Sequence, residues 1–238
     1  MPGTGSPAPP LLLALETSGS CGSIALVRAF GCVAEYTLDT GQTHSRYLLP
    51  GIEMLMRETS IDWPDLNAIA VGLGPGSFTG LRIGLATAKG LAMAAEKPLV
   101  GVSSLDGLAV QIIGNGLPVC ALIDARKKEV YAALYRENAQ GEMERQGDYL
   151  VLPPARLAEM IQEPTLFIGS GAELYRHLLT AQLGDLARFA PSVLFHDRAS
   201  AIGFLGLKRF LQGDLPAEVA PLYVRASDAE LQLGAAKK

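Results

Sequence analysis

The sequence predicts an α/β protein made of two lobes that repeat one order of elements, βββαβα. Three observations predict it. Segments that read as strands come in threes, first within residues 11–38 and again within 119–152. Each triplet is followed by segments of helical period, and Gly- or Pro-bearing turns separate the pieces. Only 18% of the 238 residues are charged and 26 are Gly, the composition of a globule with much buried surface and many close backbone approaches.

The elements follow in order. Residues 11–16 (LLLALE) form a short apolar run, 17–22 carry turn chemistry, and 23–29 and 32–38 are β-like, so the three read as a meander. Over residues 44–58 the period changes: Leu48, Ile52, Leu55 and Met56 share one helical stripe, with Arg46, Glu53, Arg57 and Glu58 off it. A buried strand at 68–73, a helix at 81–95, a strand at 98–102 and a helix at 104–113 capped by Ser103 complete the first half. The turn cluster Gly114-Asn115-Gly116 reads as a lobe boundary. Beyond it, 119–125, 129–136 and 143–152 read as strands, 155–162 as a helix after Pro153-Pro154, and 166–169 as a strand. Helices at 172–182 and 201–211 follow, the latter bracketed by Ser200 and Gly213. The expected domains are an unstructured tail at 1–10, a first lobe at 11–114, a second, reduced lobe at 117–214 and a C-terminal segment at 215–238. Two such lobes facing each other make a cleft.

Several function classes are excluded on counting. A net charge of −4 without a basic block makes a poor autonomous nucleic-acid binder, so contact with RNA is expected only through a partner. Cys21, Cys32 and Cys120 show neither zinc spacing nor an even count, which favours a reducing compartment. No basic start precedes an apolar core of signal-peptide length, and the longest uncharged stretch is broken by Gly and Pro, so a cytoplasmic protein without a membrane span is expected. His44, His177 and His196 offer no H-x-x-x-H pair, and no G-x-S-x-G elbow exists. Cys32 and Cys120 lie within apolar runs and read as core. Cys21, in the first turn, is the one candidate reactive thiol.

Three places can carry chemistry. The first strand ends at Glu16 before small hydroxyl residues, and the strand at 119–125 ends similarly at Asp124 before Arg126-Lys127-Lys128. Such acids either position a metal or water near nucleotide phosphates or cap their own turns. A Gly-rich loop, with Gly72, Gly74, Gly76, Ser77, Thr79 and Gly80, precedes the helix at 81–95. It matches no phosphate-loop signature, and either holds an anion on backbone N–H groups or forms a tight turn with Thr79 as N-cap. In the helix itself Gly84, Ala88 and Ala92 recur every four residues, a ridge that suits close packing inside the molecule or against a second subunit.

The strings LALETSGSCGSIALV, HSRYLLPGIEMLM, AVGLGPGSFTGLRIGLATAKGLAMA, LVGVSSLDGLA, ALIDARKKEVYAALY and PLYVR, in this order, resemble the bacterial TsaB (YeaZ) family. That resemblance implies an actin-like, Hsp70-like (ASKHA) fold of two ribonuclease-H-like lobes. It also implies a non-catalytic role in making threonylcarbamoyladenosine next to the tRNA anticodon. In the catalytic sister family, TsaD, a V-H-H-M-E-G-H stretch supplies two metal-binding histidines; the matching positions here hold Ser104 and Leu108. The resemblance therefore implies no catalytic residue, metal or cofactor of this chain's own, with ATP and a metal in partner subunits. Glu16, Gly74, Gly76, Ser77 and Thr79 remain as a nucleotide-binding set, functional or vestigial. The implied partners are a TsaD-like transferase subunit, a TsaE-like ATPase and, for the isolated chain, a second copy. The dimerisation helices are 44–58 and 80–96, and the interface is carried over to Leu48, Ile52, Leu55, Met56, Ile83, Gly84, Ala86, Thr87, Ala88 and Gly90. The rival reading is an enzyme, either an ATP-dependent phosphotransferase or hydrolase of the actin-like class or a peptidase.

Overall fold

The computed structural model describes residues 9–39 and 44–224. The first half runs β1 (Leu11–Glu16), β2 (Gly22–Arg28), β3 (Gly31–Leu38), α1 (Leu48–Thr59), β4 (Ala68–Gly72), α2 (Phe78–Ala94), β5 (Leu99–Val102) and α3 (Ser104–Val110). The second runs β6 (Val119–Asp124), β7 (Val130–Glu137), β8 (Met143–Leu152), α4 (Pro154–Met160), β9 (Thr165–Ile168), α5 (Ser170–Leu174), α6 (Arg176–Leu183), β10 (Ala187–Phe189) and α7 (Ala199–Gln212). Two five-stranded sheets result, ordered β3-β2-β1-β4-β5 and β10-β9-β6-β7-β8. Read from its other edge, the second order repeats the first. In each, an antiparallel meander is extended by two parallel strands.

The chain divides into two compact units, and they are not the two halves of the sequence. Of the described residues, the first comprises 9–39, 44–73, Phe78–Val102 and Arg198–Ala220; the second comprises Gly74–Ser77, Ser103–Asp197 and 221–224. The trailing helix of each half has changed sides: α7 belongs to the first unit and α3 to the second. This differs from lobes at 11–114 and 117–214, because a helix joins the sheet that covers its apolar stripe rather than the sheet nearest in sequence. Residues 1–8 of the N-terminal tail and 225–238 of the C-terminal segment, including the Arg of PLYVR, lie outside the described residues.

In the first unit both faces of the sheet are covered, so β1 is apolar at nearly every position instead of alternating. Leu11, Leu13 and Leu15, with Ile24, Leu26, Ile69 and Val71, pack under α1 and α2. Leu12 and Ala14, with Ala25, Val27, Ala68, Ala70 and Val100, pack under α7. Close approach of α7 requires glycine: a Cβ on Gly203 would lie 2.5 Å from Val27, and one on Gly206 would lie 2.6 Å from Ala70. Its N-terminus begins at Ala199, before the expected Ser200, and is satisfied from the sheet. Ala199 donates to Ser23 Oγ (3.0 Å), and Ser200 donates through its N–H to Glu35 Oε1 (2.9 Å). Gly213 ends the helix in the left-handed conformation (φ 72°), as expected.

In the second unit α3 packs on one face of the sheet, where Leu105, Leu108 and Ala109 meet Val119, Ala121, Ile123 and Tyr135. On the other face Leu157, Ala158, Ala172 and Leu179 meet Cys120, Leu122, Val130, Ala132 and Phe167. The helix expected over 172–182 is two helices, α5 and α6, parted at Tyr175 (φ −106°, ψ 17°). Ser103 precedes α3 but makes no capping bond. Strand β10, three residues at a sheet edge, is too short to show an alternation. No helix among the described residues is long and apolar enough to cross a membrane.

Candidate functional site

The end of β1 and the start of α2 form one knot in the first unit. Glu16 is fully buried, and its Oε1 accepts the Ser18 N–H at 2.6 Å. The carboxylate lies against Gly72, where a Cβ would come within 2.2 Å of Oε2. Thr17 Oγ1 donates to the Gly80 carbonyl at 2.9 Å, and a Cβ on Gly80 would come within 2.1 Å of the Thr17 carbonyl oxygen. The helix begins at Phe78, so Thr79 is an exposed residue of its first turn and not the expected N-cap. His44 is buried beside this knot and hydrogen-bonded to the Tyr47 hydroxyl. Burial holds its imidazole below the ordinary histidine value, and burial together with neighbouring groups pushes Tyr47 up to about 12.

Gly74, Gly76 and Ser77 fall in the second unit, whereas Glu16 and Thr79 fall in the first. Gly74 is left-handed (φ 86°), precedes a cis peptide bond to Pro75, and accepts the Ser104 N–H at 2.8 Å. Ser104 and Leu108, the positions matched to the sister family's histidines, are both buried, and Leu108 is part of the second unit's core. Asp106 between them serves the packing: its Oδ1 accepts from the Tyr135 hydroxyl (2.8 Å) and the Tyr149 hydroxyl (2.9 Å). Burial, then the Asp106 charge, raises both phenols, Tyr149 to about 12. The Arg145 guanidinium lies 4.0 Å from the Tyr149 ring centroid. Sequence reasoning missed this cluster, because its members are far apart in the chain.

At the matching turn of the second unit, Asp124 Oδ1 accepts the Arg126 N–H at 2.9 Å and Oδ2 lies 3.5 Å from the Arg126 guanidinium. Both strand-end acids thus bind their own turns. Arg126, Lys127 and Lys128 are all left-handed, with φ of 61°, 51° and 63°. Such a conformation costs an L-residue roughly 1–2 kcal/mol.

The interface set carried over from the resemblance divides in two. Leu48, Ile52, Leu55 and Met56 form the inward stripe of α1, buried in the core, and Gly84 and Ala88 are buried on the inward side of α2. The ridge is internal packing: a Cβ on Gly84 would meet Thr17 Oγ1 at 2.1 Å. Ala86 and Gly90 are exposed and Ile83 and Thr87 half-buried on the outer side, where Leu49 (54% exposed) on α1 and Met93 (80%) on α2 are also open to solvent. At the start of α2 the Arg82 guanidinium stacks 3.7 Å from the Phe78 ring centroid. A groove of about 570 Å³ runs along α1 between Leu49 and Trp63. Two thiols also change places. Cys21 and Cys120 are buried, and the accessible one is Cys32, exposed because β3 is an edge strand.

Two sheets of one topology, each a meander extended by parallel strands and covered by helices, define the actin-like α/β fold. The (R)-2-hydroxyglutaryl-CoA dehydratase component A of Acidaminococcus fermentans shares that fold at 12% identity, with a TM-score of 0.51 over 84% of this chain and 98% of its own. Residues 38–233 match the family model described as TsaD, tRNA N6-adenosine threonylcarbamoyltransferase. The Bacillus subtilis tRNA threonylcarbamoyladenosine biosynthesis protein TsaB is 32% identical over 92% of this chain and 96% of its own. The solved YeaZ structure from Pseudomonas aeruginosa is 30% identical, with a TM-score of 0.77 over 90% of this chain and all of its own (100%). The chain belongs to the TsaB (YeaZ) family of tRNA threonylcarbamoyladenosine biosynthesis proteins.

Proposed function

We propose that this chain is a non-catalytic subunit of the cytoplasmic system that installs threonylcarbamoyl on the adenosine next to the tRNA anticodon. It pairs through the outer faces of α1 and α2 with a TsaD-type transferase subunit, and a TsaE-type ATPase docks on that pair. Alone, it pairs through the same faces with a second copy. The observation that carries the reading is the outer side of these helices. Leu49, Ala86, Gly90 and Met93 are exposed there, with Ile83 half-buried between them. Small residues let a partner helix approach, and covering large apolar side chains stabilises association by roughly 25 cal/mol per Å².

Catalysis, ATP and metal are assigned to the partners because the residues here do not suit them. Leu108 has no ligating atom, and its side chain is committed to the core. The Glu16 carboxylate is committed to its own turn, although it has further contacts as well. The test is threonylcarbamoyl transfer to tRNA by the TsaD-type subunit and ATPase, with and without this chain. The rate is expected to collapse when the chain is omitted, and the pure chain is expected to transfer nothing. Transfer by the pure chain, or an unchanged rate without it, overturns the reading.

A further inference from the structure

We infer that the tip of the β6–β7 hairpin, Arg126-Lys127-Lys128, is a contact for the phosphate backbone of tRNA. The inference rests on the reading that this chain works beside tRNA. All three side chains are exposed, and all three residues have positive φ. A turn needing only that geometry is made most easily with Gly or Asn. Here three long cations occupy it consecutively. The backbone is locked: Ala125 donates to the Glu129 carbonyl (3.0 Å), Glu129 to the Arg126 carbonyl (2.9 Å), and Arg126 to Asp124 Oδ1 (2.9 Å). The cations are therefore presented on a framework that needs little further ordering on binding.

Carboxylates at this turn, Asp124 and Glu129, are drawn back to its base, where the Asp124 side chain is 20% exposed against 88% for Arg126. The outermost positions are positive, so the tip departs from the expectation, drawn from the chain's net charge of −4, that RNA is reached only through a partner. A phosphate backbone fits better than an acidic protein surface. Of the side chains that anchor protein–protein interfaces, Trp, Tyr and Arg, the tip offers only Arg126, and its guanidinium already faces Asp124, while phosphate recognition needs only clustered cations. Such a contact positions RNA and gives no sequence preference.

The test is fluorescence anisotropy of labelled unmodified tRNA with the full chain, from about 20 to 200 mM salt, because the slope of log K against log[salt] counts phosphates neutralised. Lys127→Gln/Lys128→Gln removes two charges and keeps chain length; Lys89→Gln/Lys97→Gln removes two from the first unit. The tip variant is expected to flatten the slope by about 1.4 to 1.8 and to weaken binding about tenfold at low salt, with the first-unit variant close to wild type. Equal slopes in wild type and the tip variant overturn the inference. So does an equal loss in both variants, which would mark a net-charge effect, or absence of salt-dependent binding in wild type. Loss of poly-glutamate binding with tRNA binding intact would assign the tip to an acidic protein instead and also overturn it. The probe is tRNA on this chain alone, so failure here leaves the subunit-pairing reading standing.

Discussion

The turn after β1 and the turn after β6 hold the same place in a repeated topology and have opposite chemistry. In the first, the strand-end acid is fully buried, glycines let the carboxylate and a helix start approach, and the Thr17 hydroxyl ties strand to helix. In the second, the acid is only half-buried and three exposed cations follow it in left-handed backbone. One turn is a packing joint, and the other faces outward. The two units therefore share a frame without sharing its use. Partner contacts are to be sought where the two copies diverge: the long α2 of the first unit, where the second has the broken pair α5 and α6, and the charged tip of the second.

Gly80 gives the largest stability effect by which that contrast can be broken. Gly80→Ala places a Cβ 2.1 Å from the Thr17 carbonyl, an obstacle of backbone that cannot rotate away. It should destabilise by about 1–3 kcal/mol in urea denaturation, as overpacking does. Gly90→Ala, in the same helix but in open space, should stabilise by about 0.5–1 kcal/mol. Equal effects at the two sites would mean that the joint is not tight. A smaller effect is expected at the second turn. Asp124→Ala removes the acceptor for Arg126 N–H and should cost about 1 kcal/mol on thermal melting. A loss of several kcal/mol there would make that turn a packing joint as well.

The strands were legible where burial on both faces leaves a plain apolar run. Residues 11–16 match β1 in bounds for that reason; residues 143–152 match β8 as well, although that strand is polar and exposed over its first half. The exchange of α3 and α7 was not legible, since an apolar stripe says that a helix is covered but not by which sheet. The same limit misdirected the interface. Leu48, Ile52, Leu55 and Met56 are the strongest stripe of α1 because they face the core, which leaves only the other side of the helix for the proposed partner. Gly84 and Ala88 misled for a related reason: small residues spaced by four let any neighbour approach, and here Gly84 meets Thr17 while Ala88 lies in the first unit's core. Cys32 sits in an apolar run yet is exposed, because periodicity does not reveal which strand forms an edge.

Ala86 and Ala88 lie two residues apart on α2 and separate the two sides of the helix. Ala88 is wholly buried, so Ala88→Glu should place a charge in the core and unfold the chain or lower its melting temperature steeply. Ala86 is exposed, so Ala86→Glu should change stability by no more than about 0.5 kcal/mol. The decisive measurement is gel filtration of the Ala86→Glu chain mixed with the TsaD-type subunit, alongside its thermal melt. A folded chain that no longer co-elutes with the transferase subunit is the predicted result. A folded Ala86→Glu chain that co-elutes as the wild type does would contradict the assignment of the outer α1 and α2 faces to that partner.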